Sequence, residues 1–151
     1  MKKTIQLGLL LLFATAITSP LLAQDAKNED MVSLAKKYEQ AYNKKDDKAL
    51  KAMYTKDATR TDTEGTVLSG SEAIRAALAA AFAETDATAK LIITQGKTET
   101  AADGTVTSTG TYIATGKSKT GEAFEYKGTY TNTVVKEDGQ WKISKSVLAS
   151  L

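Results

Sequence analysis

The side chains available for acid–base chemistry in this chain are its carboxylates and tyrosines. The sequence contains no His and no Cys, whereas it has 18 Asp and Glu residues and 6 Tyr residues. Without imidazole or thiolate groups, zinc sites, Ser-His or Cys-His nucleophilic pairs and redox dithiols are not expected. Proton transfer near neutral pH would therefore need a carboxylate or a Tyr whose pKa is shifted by its surroundings. We predict no metal site and no cofactor.

The distribution of charge argues against a nucleic-acid partner. The full chain has a net charge of +2, from 20 Lys and Arg against 18 Asp and Glu. The two signs are interspersed, and no run of basic residues could follow a phosphate backbone. We therefore expect no nucleic-acid binding.

Residues 1–23 have the pattern of a secretory signal peptide. Lys2 and Lys3 precede an apolar run over residues 7–17, and the small residue Ala23 follows it. This run is shorter than the roughly 20 apolar residues that cross a bilayer. We therefore expect the segment to be removed during export.

The remaining chain is predicted to form one exported domain, periplasmic or extracellular. Residues 24–30 are expected to form a short flexible lead, and residues 31–151 the folded domain. No second long apolar segment follows this signal peptide (the leader), so no integral membrane segment is expected after its removal. Without Cys the domain has no disulfides, and packing alone must hold it in an oxidising compartment.

The first half of this domain has helical periodicity. Apolar residues recur at intervals of three and four from Met31 to Tyr42, which is typical of an amphipathic helix. Asp46 or Asp47 can cap a second, shorter helix that carries Tyr54. A third helix is predicted to extend to Glu84, after Ser69-Gly70-Ser71-Glu72, whose Ser and Glu have capping-box spacing.

The second half is predicted to consist of strands. A short strand at 58–62 precedes the third helix, and Thr, Val, Ile and Tyr dominate from residue 88 to 148. Turn signals at Asp103-Gly104, Thr120-Gly121 and Asp138-Gly139 divide this region into four antiparallel strands. Helices followed by strands indicate an α+β domain. Three glycines lie inside predicted strands, where glycine usually marks a bulge or bend: Gly96, Gly110 and Gly128.

Two segments together have a characteristic order of elements. Tyr38 to Phe82 has the order helix, charged turn, short helix, short polar strand, Gly, helix. Gly128 to Ile143 has a Gly-x-Tyr, an Asp-Gly turn and a Trp-Lys-Ile strand. From about Met31 to Leu148 the chain resembles the NTF2-like superfamily and its SnoaL-like or DUF4440 domains. The resemblance implies a cone of three N-terminal helices packed on a strongly curved antiparallel sheet, with a cavity lined by all three helices and the inner sheet face.

The ketosteroid isomerase family has the same fold, and the resemblance to it implies two catalytic positions. Its oxyanion-hole tyrosine on the first helix corresponds to Tyr38. Its proton-shuttling aspartate, five residues beyond an Asp-Ala-Thr, corresponds to Asp62, and a pocket tyrosine of some relatives corresponds to Tyr54. The protonated aspartate of that oxyanion hole falls on Thr131, or on Asn132 with a shift of one residue. Neither residue is a carboxylic acid, so the catalytic set is incomplete.

Arg60 bears on any catalytic role for Asp62. Strand alternation places both side chains on one face, and a nearby guanidinium lowers a carboxyl pKa and makes the carboxylate a poorer base. The two residues could also supply part of the Asp-Arg-Asp set of epoxide hydrolases of this fold, for which no third member is identified.

The function expected from these features is a non-enzymatic module that binds a small, mainly apolar ligand or a partner. The alternative is a ketosteroid-isomerase-like isomerase or lyase with Asp62 as base and Tyr38 as hydrogen-bond donor. The predicted ligand-binding residues are Tyr38, Tyr54, Arg60, Asp62, Leu78 and Thr131. The resemblance also implies a homodimer through the outer sheet face, where Thr107, Thr109, Thr111 and Thr115 would suit a partly polar interface. These threonines would equally suit a face exposed to solvent.

The leader can be tested directly. When the chain is expressed with its leader in a bacterium, we expect the protein outside the cytoplasm with Gln24 near its N-terminus, because Ala23 offers a small-residue cleavage site. N-terminal sequencing of the exported material measures this. Recovery of Met1 on exported protein would contradict the prediction.

Overall fold

Three helices and six strands make up the part of the protein that the structure describes. The structure is a computed structural model that describes residues 20–151. The helices are α1 (Pro20–Asn43), α2 (Asp47–Ala52) and α3 (Ser71–Ala83). The strands are β1 (Tyr54–Thr61), β2 (Val67–Ser69), β3 (Lys90–Thr100), β4 (Val106–Lys117), β5 (Ala123–Glu137) and β6 (Gln140–Ser150). Residues 1–19, most of the predicted signal peptide, lie outside the described residues.

The six strands form one curved sheet in the order β2-β1-β6-β5-β4-β3. All neighbouring strands are antiparallel except β1 and β6, which are parallel. The predicted α+β class and the meander of four long strands are confirmed. Strand β2 was not predicted, because three residues are too few to show a period. Within residues 20–151, no helix has the length and apolar character needed to span a bilayer.

Helix α1 is longer than the sequence pattern predicted. It includes residues 24–30, so the expectation of a flexible lead there is wrong for this structure. This segment is rich in good helix formers such as Ala, Gln, Lys and Glu. Two of its side chains also bind β3: Gln24 Nε2 donates to the Thr98 carbonyl at 2.6 Å, and Asn28 Oδ1 accepts from Thr98 Oγ1 at 2.9 Å.

The other end of α1 binds the edge of β3 in the same way. Asn43 Oδ1 accepts from the Leu91 N–H at 2.7 Å, and Asn43 Nδ2 donates to the Leu91 carbonyl at 2.9 Å. Glu39 Oε2 accepts from the Ile93 N–H at 2.9 Å. Because β3 is an edge strand, its outer backbone groups would otherwise lack partners in the sheet. These bonds hold α1 along the β3 edge and over the inner face of the sheet.

Helix α2 is shorter than predicted. Of the two predicted capping residues, Asp46 is the N-cap, and its Oδ1 accepts from the Ala49 N–H at 2.9 Å, whereas Asp47 is the first residue of the helix. The helix ends at Ala52, and Tyr54 begins strand β1 instead of lying on the helix. Tyr favours strands, and Tyr54 is buried where β1 meets Ile143 of β6.

Helix α3 begins without the predicted capping box. Its N-cap residue is Gly70, and no side chain caps the first turn. Glu72 instead forms surface ion pairs with Lys51 and Arg75, both at 2.5 Å. One apolar stripe of the helix is buried, and it consists of Ile74, Leu78 and Phe82.

The buried apolar residues form two groups. The larger packs the three helices against β1 and β6 and contains Ala41, Leu50, Tyr54, Ala58, Ile74, Leu78, Phe82 and Ile143. The smaller lies under the first half of α1 and contains Met31, Val106 and Val134. Leu34 of α1 contacts both groups, so the two groups together position α1 on the sheet.

The predicted turns join the long strands as expected. Asp138 and Gly139 have φ values of 50° and 77°, the left-handed backbone typical of a two-residue hairpin between β5 and β6. Gly96 lies where the register of β3 and β4 shifts, between Gln95 and Thr98, so it marks a bulge as predicted.

The outer face of the sheet carries the predicted row of threonines. Ser108 and Tyr112 of β4 face inward, so the alternating residues face outward. Two exposed isoleucines, Ile92 and Ile113, are paired in register on this outer face. The homodimer expected through this face stays a prediction.

The contact between α1 and the β3 edge generates a stability prediction. We expect Asn43→Ala to lower the free energy of unfolding by about 1–3 kcal/mol, because it removes two hydrogen bonds to backbone groups of an edge strand. Urea denaturation measures this. Gln40→Ala, on the exposed side of the same helix, is the matched control and should change stability by less than about 0.5 kcal/mol. Equal effects of the two substitutions would refute the role assigned to Asn43.

Candidate functional site

A cavity of about 120 Å³ lies between α1 and the inner face of the sheet. Its wall comes from α1 and from every strand except β2, whereas α2 and α3 contribute nothing. The expectation that all three helices line it is therefore wrong. Most of the wall is aliphatic or aromatic. The aliphatic residues are Met31, Leu34, Ala35, Leu91, Ile93, Ala114, Ile143 and Leu148, and the tyrosines are Tyr38, Tyr42, Tyr54, Tyr112 and Tyr130.

Three of the six predicted ligand-binding residues line the cavity, namely Tyr38, Tyr54 and Arg60. Leu78 lies instead in the main apolar core beneath α3. Thr131 is exposed, because its neighbours Tyr130 and Asn132 face inward and strand alternation turns Thr131 to the outer face. The alternative alignment of the third oxyanion-hole position with Asn132 is the one that reaches the cavity.

Asp62 does not line the cavity. Its Oδ1 accepts hydrogen bonds from the backbone N–H groups of Glu64 and Thr66 at 2.9 and 2.8 Å, in the turn between β1 and β2. The hydrogen bond from Thr66 is the main cause that holds the pKa of Asp62 below its ordinary value. A carboxylate stabilised in its ionised form is a weak proton acceptor. The structure therefore places the predicted base in a turn, separate from Tyr38.

Tyr38 and Tyr54 form an aromatic pair in the cavity wall. Their hydroxyl oxygens are 3.3 Å apart, and their rings meet edge to face with centroids separated by 6.3 Å. Burial is the main cause that raises the pKa of Tyr54 well above its ordinary value. Tyr54 therefore stays protonated at neutral pH. The pair is a source of hydrogen-bond donors.

The two Gly-Thr-Tyr sequences of β4 and β5 pair with each other. Gly110 lies opposite Tyr130, and Tyr112 lies opposite Gly128. A Cβ at Gly110 would lie 2.6 Å from the Tyr130 hydroxyl, and one at Gly128 would lie 2.5 Å from the Tyr112 hydroxyl. The ring of each tyrosine therefore lies across the glycine that is opposite it on the neighbouring strand. The predicted bulges at Gly110 and Gly128 are absent, since the register between β4 and β5 is continuous there.

Gln95 organises one side of the cavity, and sequence reasoning missed it. Its Oε1 accepts from the Tyr130 hydroxyl at 2.6 Å and from Ser108 Oγ at 3.0 Å. Burial raises the pKa of Tyr130 to about 12, so this hydroxyl is a donor at neutral pH. The available signal was strand alternation, which places Gln95 on the same face as Leu91 and Ile93.

A row of polar residues crosses the inner face from β1 to β4. Arg60 is paired in register with Ser146, Ser146 with Asn132, and Asn132 with Ser108. All four residues line the cavity. Ser108 is hydrogen-bonded to Gln95. By contrast, Asn132 Oδ1 is buried and has no hydrogen-bond partner among the described residues.

Arg60 is the one charged residue in the cavity wall among the described residues. Within residues 20–151, no Asp or Glu oxygen lies within ion-pairing distance of its guanidinium. Burial disfavours its charge, but the electrostatic effects of four surrounding tyrosines outweigh burial and raise the pKa of Arg60. Arg60 is therefore a cation at neutral pH. In the part of the chain that the structure describes, no cluster of three His, Cys, Asp or Glu residues could hold a metal ion.

A family model described as SnoaL-like domain matches residues 26–147. The chain therefore belongs to the SnoaL-like domain family, and its fold is NTF2-like. None of the curated proteins compared with it matches significantly.

Solved structures share this fold at low sequence identity. A protein of unknown function from Mycobacterium tuberculosis is 21% identical with a TM-score of 0.78, covering 89% of this chain and 78% of its own. An NTF-2 like protein of unknown function from Shewanella oneidensis is 20% identical with a TM-score of 0.69, covering 82% and 99%. A ketosteroid isomerase-like protein from Erwinia carotovora atroseptica is 18% identical with a TM-score of 0.69, covering 83% and 96%. These likenesses show the fold alone.

The position of Asp62 generates a test of its role. We expect Asp62→Asn to leave the fold and any ligand binding unchanged, because the amide oxygen can still accept the two turn hydrogen bonds. By NMR, the Asp62 carboxyl should titrate below its ordinary pKa of 3.8. Its charge then stabilises the folded state above that pH, and this contribution is lost as the pH falls through the lowered pKa. A pKa above 3.8 that changes when a ligand is added would instead indicate a base at a binding site.

Proposed function

We propose that this protein is an exported, non-enzymatic module that holds a small, mainly apolar ligand in the cavity between α1 and the sheet. The observation that carries the proposal is the composition of the cavity wall. Among the described residues that wall contains eight aliphatic residues and five tyrosines but no carboxylate. An apolar cavity with a few polar groups that fix orientation is the usual form of a small-molecule binding site.

The cavity volume limits the size of the ligand. At about 120 Å³, it is comparable with an apolar protein cavity of about 150 Å³ that binds benzene. A single ring or a short aliphatic chain fits this volume, whereas a steroid would require the cavity to expand. The size therefore favours a small metabolite.

The isomerase alternative is less well supported by the geometry. It requires a general base within hydrogen-bond reach of the substrate. The candidate base, Asp62, is engaged with the backbone of its own turn, and no carboxylate of the described residues lines the cavity. The tyrosine pair alone offers donors, which can bind a carbonyl oxygen without moving a carbon-bound proton.

The proposal of export rests on the N-terminal sequence. Its two lysines, apolar run and small residue are the signals of a secretory leader. An exported binding module would meet its ligand in the periplasm or outside the cell.

The binding proposal can be tested with toluene, a neutral single-ring probe. We expect toluene to give ligand-observed NMR transfer signals with the purified protein and to raise its melting temperature. Ala35→Phe should abolish both effects, because the new ring would occupy the cavity from α1. Ala26→Phe, an exposed position on the same helix, is the matched control and should preserve both.

Native mass spectrometry of the protein from its source would also identify any ligand that copurifies. The absence of toluene binding in the wild type would count against an open cavity. Equal binding by the Ala35→Phe variant would show that the probe lies elsewhere. Either result refutes the proposed site.

A further inference from the structure

Arg60, a residue of the cavity wall, carries a positive charge that no described carboxylate neutralises. Arg60 is half-buried, and its side chain lines the cavity. Burying a charge without a partner is costly. Arginine in such surroundings is normally paired with a carboxylate. Asp62, two residues away, is too far for an ion pair and is held by its turn.

The chemistry of the guanidinium specifies what would neutralise it. Arg has five N–H donors in a planar fork that matches the two oxygens of a carboxylate. The surrounding tyrosines are uncharged at neutral pH and offer no counter-charge, because burial raises the pKa values of Tyr42, Tyr54 and Tyr112 above their ordinary value. An anionic group that enters the cavity would therefore find a preformed, unused partner in Arg60.

We propose that the ligand of this cavity is a small carboxylic acid whose carboxylate pairs with Arg60 and whose single-ring or short-chain body occupies the apolar part. This inference rests on the proposed binding function and specifies its ligand class. The size follows from the cavity volume of about 120 Å³. A planar monoanion suits the site better than a phosphate dianion, because an apolar wall offers no second cation for the second charge.

A second unpartnered group in the same row calls for a hydrogen-bond donor on the ligand. Asn132 Oδ1 is buried and lacks a hydrogen bond. Asn132 and Arg60 both pair in register with Ser146, so they lie two strands apart in one row. A carboxylate paired with Arg60 could also accept from the Ser146 hydroxyl in this row. Asn132 Oδ1 is an acceptor, so it would instead accept from a hydroxyl or N–H donor elsewhere on the ligand, while the aliphatic residues of α1 and β3 would enclose the ligand's body.

The sequence offers a close control, because the chain contains two arginines. Arg75 lies on the surface of α3 and is paired with Asp47 and Glu72. Loss of Arg75 removes surface ion pairs and leaves the cavity intact. Loss of Arg60 removes a cation from the cavity wall and breaks no ion pair within residues 20–151.

The experiment compares benzoate with its neutral isostere benzamide by calorimetric titration of the purified protein. We expect benzoate to bind about 10 to 100 times more tightly, the range typical of a hydrogen-bonded charge pair. Arg60→Met should abolish this preference, Arg60→Lys should retain part of it, and Arg75→Met should retain all of it. Without ligand, Arg60→Met should melt no lower than the wild type, because it relieves an unpaired charge.

Each outcome decides between the possibilities. Equal affinity for benzoate and benzamide in the wild type overturns the carboxylate inference without the need for any variant. Tighter binding of phenyl phosphate than of benzoate would assign the site to phosphorylated ligands and overturn it also. If both ring probes and toluene fail to bind, the proposed binding function fails as well. If toluene and benzamide bind but benzoate shows no advantage, only the carboxylate assignment fails.

Discussion

The contact between α1 and the edge of β3 is the constraint on which the site depends. The strand has one side paired with β4 and the other side unpaired, and polar side chains from both ends of α1 bind its outer backbone groups. This arrangement satisfies an edge that would otherwise be open to another strand. It also sets the distance between helix and sheet. Since α1 and the sheet supply the entire described cavity wall, these hydrogen bonds define the space in which a ligand can lie.

Sheet curvature and side-chain size determine the shape of that space. Tyr112 and Tyr130 are accommodated because each ring crosses a glycine on the neighbouring strand. A larger residue at either glycine would clash with the tyrosine ring that lies across it. The two Gly-Thr-Tyr sequences therefore act as a pair. Together they allow a layer of tyrosines to line the sheet without filling its inner side.

The polar row from Arg60 to Ser108 contributes less to the stability of the fold than apolar residues would at the same positions. Ser108 is hydrogen-bonded to Gln95. Among the described residues, Asn132 Oδ1 has no hydrogen-bond donor and the Arg60 guanidinium has no carboxylate within ion-pairing distance. Apolar residues of similar size would be less costly at these two positions. Local departures of this kind from good packing are typical of functional sites. The row therefore supports the proposal that a ligand binds at the inner face of β1, β6 and β5.

The sequence alone determined the kinds of element and their order. The apolar period from Met31 to Tyr42, the Asp46 cap and the Asp138-Gly139 turn are local signals, and the structure contains each of them. Residue types also excluded His and Cys chemistry before any fold was known.

Tertiary structure decided which side chains meet. Tyr54 is a strand residue because β1 pairs with β6 there, and Leu78 is core because α3 lies away from the cavity. Asn132 replaces Thr131 at the site because a shift of one residue reverses the face of a strand. Pairing register and helix docking are set by contacts between distant residues, so no local pattern could bring Arg60, Ser146 and Asn132 into one row or place Asp62 outside it.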